Sequence, residues 1–308
     1  MTLPELGRRG YPRDMVIGTL AGAGTLGLLI PPSIIMIVYG VAADVSIAQL
    51  FIAGILPGIL LALLFSGYIA IWALRNPEQV PPADTSMTLA QKLHESRSLI
   101  PVTLLILAVL GSIYAGIATA TEAAAVGVVG ALAISAAQGS LNWTSFKESL
   151  LGATRLYCMM ALILAGAAFL TLAMGYIGLP RHLAEWIGSL GLSKFQLVIM
   201  LAVFYIVLGC FLDGISMVVL TMGVIMPTVT AAGIDPLWFG IFIVLVVEMA
   251  QITPPVGFNL FVLQGMTGEQ LTYVARVALP MFFLMVAAVL LIYFVPEIVT
   301  WLPQHMKL

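Results

Sequence analysis

The sequence predicts an all-α polytopic membrane protein organised as an inverted repeat, with two helices broken by Pro-Pro and one re-entrant hairpin. Of its 308 residues, 61% are hydrophobic and 8% are charged, with a mean hydropathy of +1.12, where a soluble chain carries roughly 25% charged residues. Apolar runs of about 20 residues, long enough to cross the hydrocarbon as helix, recur along the whole length. None has the sustained alternation of a barrel strand. The third observation is a double proline that occurs twice, as Ile30-Pro31-Pro32-Ser33 and as Thr253-Pro254-Pro255-Val256, each inside an apolar run. Proline lacks the N–H and clashes with the preceding turn, so each pair unwinds a helix and frees carbonyls. In lipid this is tolerated only where those groups face protein, water or an ion.

The two pairs are separated by 223 residues, and Pro4 and Pro227, Gly10 and Gly233, and Pro57 and Pro280 share that offset. Segments 4–57 and 227–280 hold five prolines each, four of which coincide; chance placement gives fewer than one coincidence. We therefore expect 4–57 and 227–280 to be repeat halves, matched in backbone punctuation more than in side chains.

In chain order, residues 1–14 are polar and carry Arg8, Arg9 and Arg13 without the pattern of a signal peptide. Residues 15–40 form the first broken helix. Asp44 or Ser46 caps a short interfacial helix over 44–54, and a span runs over about 56–74. The charged segment 75–98 reads as a cytoplasmic loop, with Arg75, Lys92 and Arg97 against Glu78, Asp84 and Glu95. Spans at about 99–117 and 122–138 flank a corner at 118–122, where Glu122 is as suited to a helix cap as to a ligand. Loop 139–148 leads to a span at 150–175. Residues 180–190 are amphipathic, with Pro180 in the first turn and the character of an interfacial helix. The apolar stretch 195–231 is interrupted by Gly209, Asp213, Gly214 and Ser216, and reads as a hairpin with its tip at 211–216 or as two spans. The second broken helix occupies 237–265.

Taking the basic loops as cytoplasmic places Lys/Arg 8, 9, 13, 75, 92, 97, 147, 155 and 276 inside and 181, 194 and 307 outside. The two broken helices then cross in opposite directions, as an inverted repeat requires. The whole of 1–308 reads as one transmembrane domain of an inverted-repeat ion-transporter-type fold. Half-helix N-termini near the midplane favour anions and carbonyl ends favour cations. The groups at hand are Gly24, Thr25, Gly27 and Ser33 around the first break, and Glu248, Gln251, Thr253 and Asn259 around the second. A hard cation such as Na⁺ takes oxygen ligands from carbonyls and hydroxyls. Glycines 22, 24 and 27 can equally serve close helix packing. Asp213 and Glu248 are the acids inside apolar runs, where a charge is costly and a functional role is the default reading; a neutral or hydrogen-bonded structural acid is the other.

No nucleophile–base pair, phosphate loop, metal cluster or basic tract for nucleic acid is present, so the chain does not read as an enzyme. Cys158 and Cys210 have no metal or redox spacing and read as buried inert thiols. The 16 methionines read as packing, and His94, His182 and His305 as solvated.

Six stretches, in this order, resemble the large membrane subunit (DctM-like) of the TRAP family, the tripartite ATP-independent periplasmic transporters. They are Arg8-Arg-Gly-Tyr-Pro-Arg13, Gly24-Thr-Leu-Gly-Leu-Leu-Ile-Pro-Pro-Ser33 with Tyr39-Gly40, Ala48-Gln-Leu-Phe-Ile-Ala-Gly54, Thr121-Glu-Ala-Ala-Ala125, Phe211-Leu-Asp-Gly214, and Ile252-Thr-Pro-Pro-Val-Gly-Phe-Asn-Leu260. The resemblance implies a Na⁺-coupled, elevator-type importer of small organic acids (C4-dicarboxylate, sialic acid or similar carboxylates) in the bacterial inner membrane. It also implies a small membrane subunit (DctQ-like) and a periplasmic binding protein (DctP-like) as partners, the lipid bilayer as surroundings, and no cofactor beyond Na⁺ as coupling ion. Carried onto this chain, one cation site is Asp213, Gly214 and Ser216 with Thr253, Pro254 and Pro255. The other is the break from Gly24, Thr25 and Gly27 to Pro31, Pro32 and Ser33. Substrate is expected at Ser33, Glu248 and Asn259. The family has a further N-terminal portion with a first hairpin, and this chain starts just after its equivalent. The alternatives are a self-sufficient Na⁺/dicarboxylate or related anion symporter and a non-transporting truncated remnant.

Overall fold

The computed structural model describes residues 2–82, 88, 91, 96–255 and 257–305. The expectations for Asp84, Lys92, His94, Glu95 and Lys307 lie outside the described residues. Every regular element among the described residues is helical. In order they are α1 (Thr2–Arg8), α2 (Arg13–Leu29), α3 (Ile34–Ala43), α4 (Ile47–Arg75), α5 (Ile100–Tyr114), α6 (Ala120–Ala137), α7 (Trp143–Ile177), α8 (Leu179–Ser189), α9 (Lys194–Gly209), α10 (Gly214–Ala231), α11 (Pro236–Gln251), α12 (Phe258–Thr267), α13 (Leu271–Phe294) and α14 (Glu297–His305). Among them α4, α6, α7, α10 and α13 are long and apolar enough to cross a membrane, and α2–α3, bent by 44°, makes a sixth if counted as one span. The chain is an all-α polytopic membrane protein.

Several boundaries differ from the sequence reading. The short helix expected over 44–54 is instead the start of α4, which runs unbroken through Pro57. Ser46 caps it by accepting from the Gln49 N–H, while Asp44 takes a left-handed conformation at the end of α3. Helix α7 starts at Trp143 and not near 150. Thr119 and Glu122 form a reciprocal capping box at the start of α6, so Glu122 is a cap. At α8, Pro180 stands in the first turn as expected. The hydrogen bond from Arg181 holds the exposed Glu185 carboxyl below the usual carboxylate range.

The described chain divides into two compact units, residues 1–81 with 163–305 and residues 82–162. In the second unit α5 and α6 pair as a hairpin, and Gly130 gives room to Leu105. In the first unit α11 is the axis: every residue from Trp238 to Ala250 is buried. Helices α2, α3, α4, α9, α10 and α13 pack around it. The Trp238 indole N–H donates to the Ile292 carbonyl at 2.9 Å, tying α11 to α13.

The same order of elements occurs twice in this unit. Helices α2, α3 and α4 begin at 13, 34 and 47, and α11, α12 and α13 begin at 236, 258 and 271, an offset of 223 or 224. Pro57 lies inside α4 and Pro280 inside α13, while Gly10 and Gly233 both have positive φ. The start of α2 touches the end of α12, where Arg13 Nη2 meets the Thr267 carbonyl at 3.1 Å and Glu269 at 3.0 Å. The Tyr273 hydroxyl donates to Asp14 nearby. The start of α11 in turn touches the end of α3, where the Tyr39 hydroxyl donates to the Pro236 carbonyl at 2.6 Å. Each broken helix therefore begins beside the other's end, and the two run antiparallel.

Candidate functional site

The first break is closed by its own chain. Helix α2 ends at Leu29, and after Pro31-Pro32, a cis bond, α3 starts from Ser33. The Ser33 hydroxyl donates to the Leu28 carbonyl and accepts from the Met36 N–H at 3.3 Å. It thus pairs a carbonyl near the end of one half-helix and caps the other. Pro31 and Ser33 are buried, Pro32, Gly24 and Gly27 exposed. Thr25 is fully buried and its hydroxyl turns back to the Gly22 carbonyl at 2.6 Å. On α4, Gly54 and Gly58 let the break approach closely: a Cβ at Gly54 would be 3.0 Å from the Leu29 carbonyl, and one at Gly58 2.9 Å from the Ile30 side chain.

The second break is closed by the hairpin tip. Helix α11 ends at Gln251, and Pro254-Pro255, also cis, leads to α12. The Cys210 thiol, in the turn between α9 and α10, donates to the Pro254 carbonyl at 3.2 Å. Gly209 and Gly214, on either side of the tip, permit this approach. A Cβ at Gly209 would be 2.3 Å from Ala250, and one at Gly214 2.6 Å from Val247 and 3.5 Å from the Gln251 amide. A cavity of about 140 Å³ lies between the tip and the break, lined by Asp213, Gly214, Gln251 and Phe258 among others. Asp213 caps α10, accepting from the Ile215 and Ser216 N–H groups and from the Ser216 hydroxyl. Thr253 donates to the Met249 carbonyl at 2.7 Å, and Pro254 and Pro255 are exposed.

Two residues outside the expected set matter here. At Gly257 a Cβ would stand 2.6 Å from the Gln251 carbonyl oxygen and 2.9 Å from that of Thr253. Two carbonyls therefore converge on a point that only glycine leaves open. Such oxygens are the hard donors an alkali cation takes, so the residues present at this break suit a Na⁺ ion. The second residue is Cys210, buried as expected but hydrogen-bonded to the break and not merely packed; Cys158, expected buried, is exposed. Position 257, two residues after Pro-Pro, was the available signal for the first. Nothing in the spacing of Cys210 pointed to Pro254.

Of the residues expected at the substrate, Asn259 lies beside Gly24, whose Cβ would be 3.5 Å from its amide nitrogen. This contact joins the α2 half of the first break to the α12 half of the second. Ser33 is 1% exposed with its hydroxyl engaged. Glu248 is fully buried, and neither of its carboxyl oxygens has a hydrogen-bond partner. Among the described residues no group of three His, Cys, Asp or Glu could hold a metal.

Comparison with known proteins agrees with this architecture. Residues 1–298 match the family model "Tripartite ATP-independent periplasmic transporter, DctM component". The chain is 33% identical over 298 residues to the C4-dicarboxylate TRAP transporter large permease protein DctM of Pseudomonas aeruginosa, covering 96% of this chain and 69% of that one. It is 31% identical over 300 residues to the isethionate TRAP transporter permease protein DctMQ of Oleidesulfovibrio alaskensis (97% and 47%). It is 30% identical over 306 residues to the ectoine/5-hydroxyectoine TRAP transporter large permease protein UehC of Ruegeria pomeroyi (97% and 69%). A transport permease of the bacterial inner membrane and not an enzyme, this chain belongs to the DctM family of TRAP transporter large permeases.

Proposed function

We propose that the chain is the large permease of a Na⁺-coupled TRAP transporter that imports a small organic acid by an elevator-type movement. It would work with a small membrane subunit and a periplasmic binding protein. The observation that carries this reading is the antiparallel pair of Pro-Pro-broken helices, the second closed by a hairpin tip. Helices broken in opposite orientation offer carbonyl ends and N-termini at the same depth, the arrangement by which secondary transporters hold an ion and an anionic substrate together. The shared element order at 4–57 and 227–280 supports an inverted repeat.

At the second break the carbonyls of Gln251 and Thr253 would hold the cation, with Asp213, Gly214 and Ser216 orienting the tip above them. The first break, from Gly24 to Ser33, would form the other cation site. Asn259 beside Gly24 would meet the substrate. The names of the relatives, which mention C4-dicarboxylate, isethionate and ectoine, support a small organic acid as the cargo. Na⁺ supplies charge compensation for such a cargo and an inward driving force.

The test is uptake of a labelled organic-acid panel, these three included, into proteoliposomes holding the full chain with its small subunit and binding protein. An inward Na⁺ gradient should drive accumulation, and collapsing it should abolish accumulation. Equal uptake with K⁺ replacing Na⁺ throughout would sink Na⁺ coupling.

A further inference from the structure

Glu248 is the one acid among the described residues that is wholly enclosed; it was expected at the substrate, but its enclosure leaves it no part in the proposed transport site. Its relative exposure is 0%, and both carboxyl oxygens lack a hydrogen-bond partner. It stands in Ile243-Val-Leu-Val-Val-Glu-Met-Ala250, a segment with no other polar side chain, on the helix around which the first unit packs. A carboxylate in such a place costs several kcal/mol even after relaxation, unless a cation or donors accompany it. A metal ion would need several oxygens, and the only other side-chain oxygen on α11 within a turn of Glu248 is the Gln251 amide.

The matching place in the other broken helix shows how the cost is avoided. At the offset of 223, Glu248 corresponds to Thr25, six residues before its own Pro-Pro and equally buried. Thr25 is a neutral donor and donates a hydrogen bond to the Gly22 carbonyl of its own helix. A protonated carboxyl is likewise a neutral side chain that can donate back into its helix.

Other charges do not intervene. The elements packed on α11 carry as titratable groups Arg13, Asp14 and Tyr39; Tyr68 and Arg75; Lys194, Tyr205, Cys210 and Asp213; Tyr273, Arg276 and Tyr293; and Glu297 and His305. None of them makes a hydrogen bond to the Glu248 carboxyl.

We propose that Glu248 is a proton-binding site, occupied while α11 is packed and emptied when the packing before the second break opens to water. The step is simple binding, carboxylate plus proton giving carboxylic acid. Opening returns the proton to the solvent.

The experiment is infrared difference spectroscopy of the full chain in lipid nanodiscs at neutral pH, wild type against Glu248→Gln, with thermal unfolding of both from mildly acidic to alkaline pH. The expected result is a carboxylic-acid C=O band in the wild type that is absent from E248Q. The wild-type midpoint should also fall relative to that of E248Q as pH rises, because unfolding lets the carboxyl release its proton. Absence of the acid band from the wild type at neutral pH overturns the proposal, and so do midpoints that stay parallel at every pH. The wild-type spectrum is decisive by itself should E248Q not fold. Neither readout involves transport, so a failed Na⁺-uptake test leaves this inference standing, and the reverse also holds.

Discussion

The two Pro-Pro breaks share an offset, a cis bond and an antiparallel setting, yet they are finished by different means. The first is sealed from within: Ser33, two residues past Pro31, pairs the Leu28 carbonyl and caps α3, while Gly54 and Gly58 press α4 against it. The second has glycine at its cap, leaves Pro254 and Pro255 exposed, and borrows a thiol from the hairpin tip some 44 residues earlier in the chain. A break satisfied by its own hydroxyl holds its shape whatever its neighbours do. A break satisfied by another element changes when that element leaves. The second also turns its own Thr253 hydroxyl back to the Met249 carbonyl, so the contact with the tip is what sets it apart and makes it the better candidate for a gate in the proposed transport cycle.

The largest effect should come from filling the point where the second break's carbonyls converge. Gly257→Ala places a Cβ 2.6 Å and 2.9 Å from two backbone oxygens that cannot turn aside like a flexible side chain. Overpacking of this kind costs about 1–3 kcal/mol, and the displaced carbonyls are those assigned to the cation. We expect uptake to fall by at least about tenfold, a barrier change of ~1.4 kcal/mol, with the half-saturating Na⁺ concentration raised. Uptake with unchanged Na⁺ dependence would remove the carbonyl pair from the cation site.

Ser33→Ala comes next. It deletes a helix cap and strands the Leu28 carbonyl in a half-buried place, together about 1–2 kcal/mol, so the loss should appear first in thermal stability. Ser33→Thr keeps the hydroxyl and should recover most of it. If S33A unfolds at the wild-type temperature, the first break is not held by its hydroxyl and the contrast between the breaks fails.

Much of this was legible in the residues. Proline and glycine act on the backbone wherever they stand, so the two breaks, the interruption with its tip at 211–216 and the shared offset could all be read from the sequence. The caps at Ser46 and Glu122 were legible for the same reason, since each acts within a few residues of itself; the cap that Asp213 makes on α10 was not read, because an acid in an apolar run suggested a ligand instead. Pro57 misled, because a proline at a helix start and one inside a long packed helix look alike in sequence, and here α4 continues through it. The contacts of Cys210 with Pro254 and Asn259 with Gly24 depend on how distant helices pack, and no local pattern encodes them. Glu248 showed itself as an acid in an apolar run, but only the packing of α11 reveals that it has no partner.

The smallest effect sharpens the comparison most. Cys210→Ala removes a weak sulfur donor from a carbonyl whose residue, Pro254, is already exposed, so water can replace the thiol. The stability cost should be about 0.5 kcal/mol, the low end for one hydrogen bond, and Cys210→Ser should behave like the wild type. The effect on Na⁺ dependence should exceed the effect on stability, because the tip is held to the break less tightly while the fold loses little. S33A should show the opposite ratio, with stability lost and Na⁺ dependence nearly unchanged. Measured side by side, the two variants separate a break that serves as structure from one that serves as a gate. If C210A costs as much stability as S33A, the second break is as closed as the first, and the hairpin tip is a fixed wall.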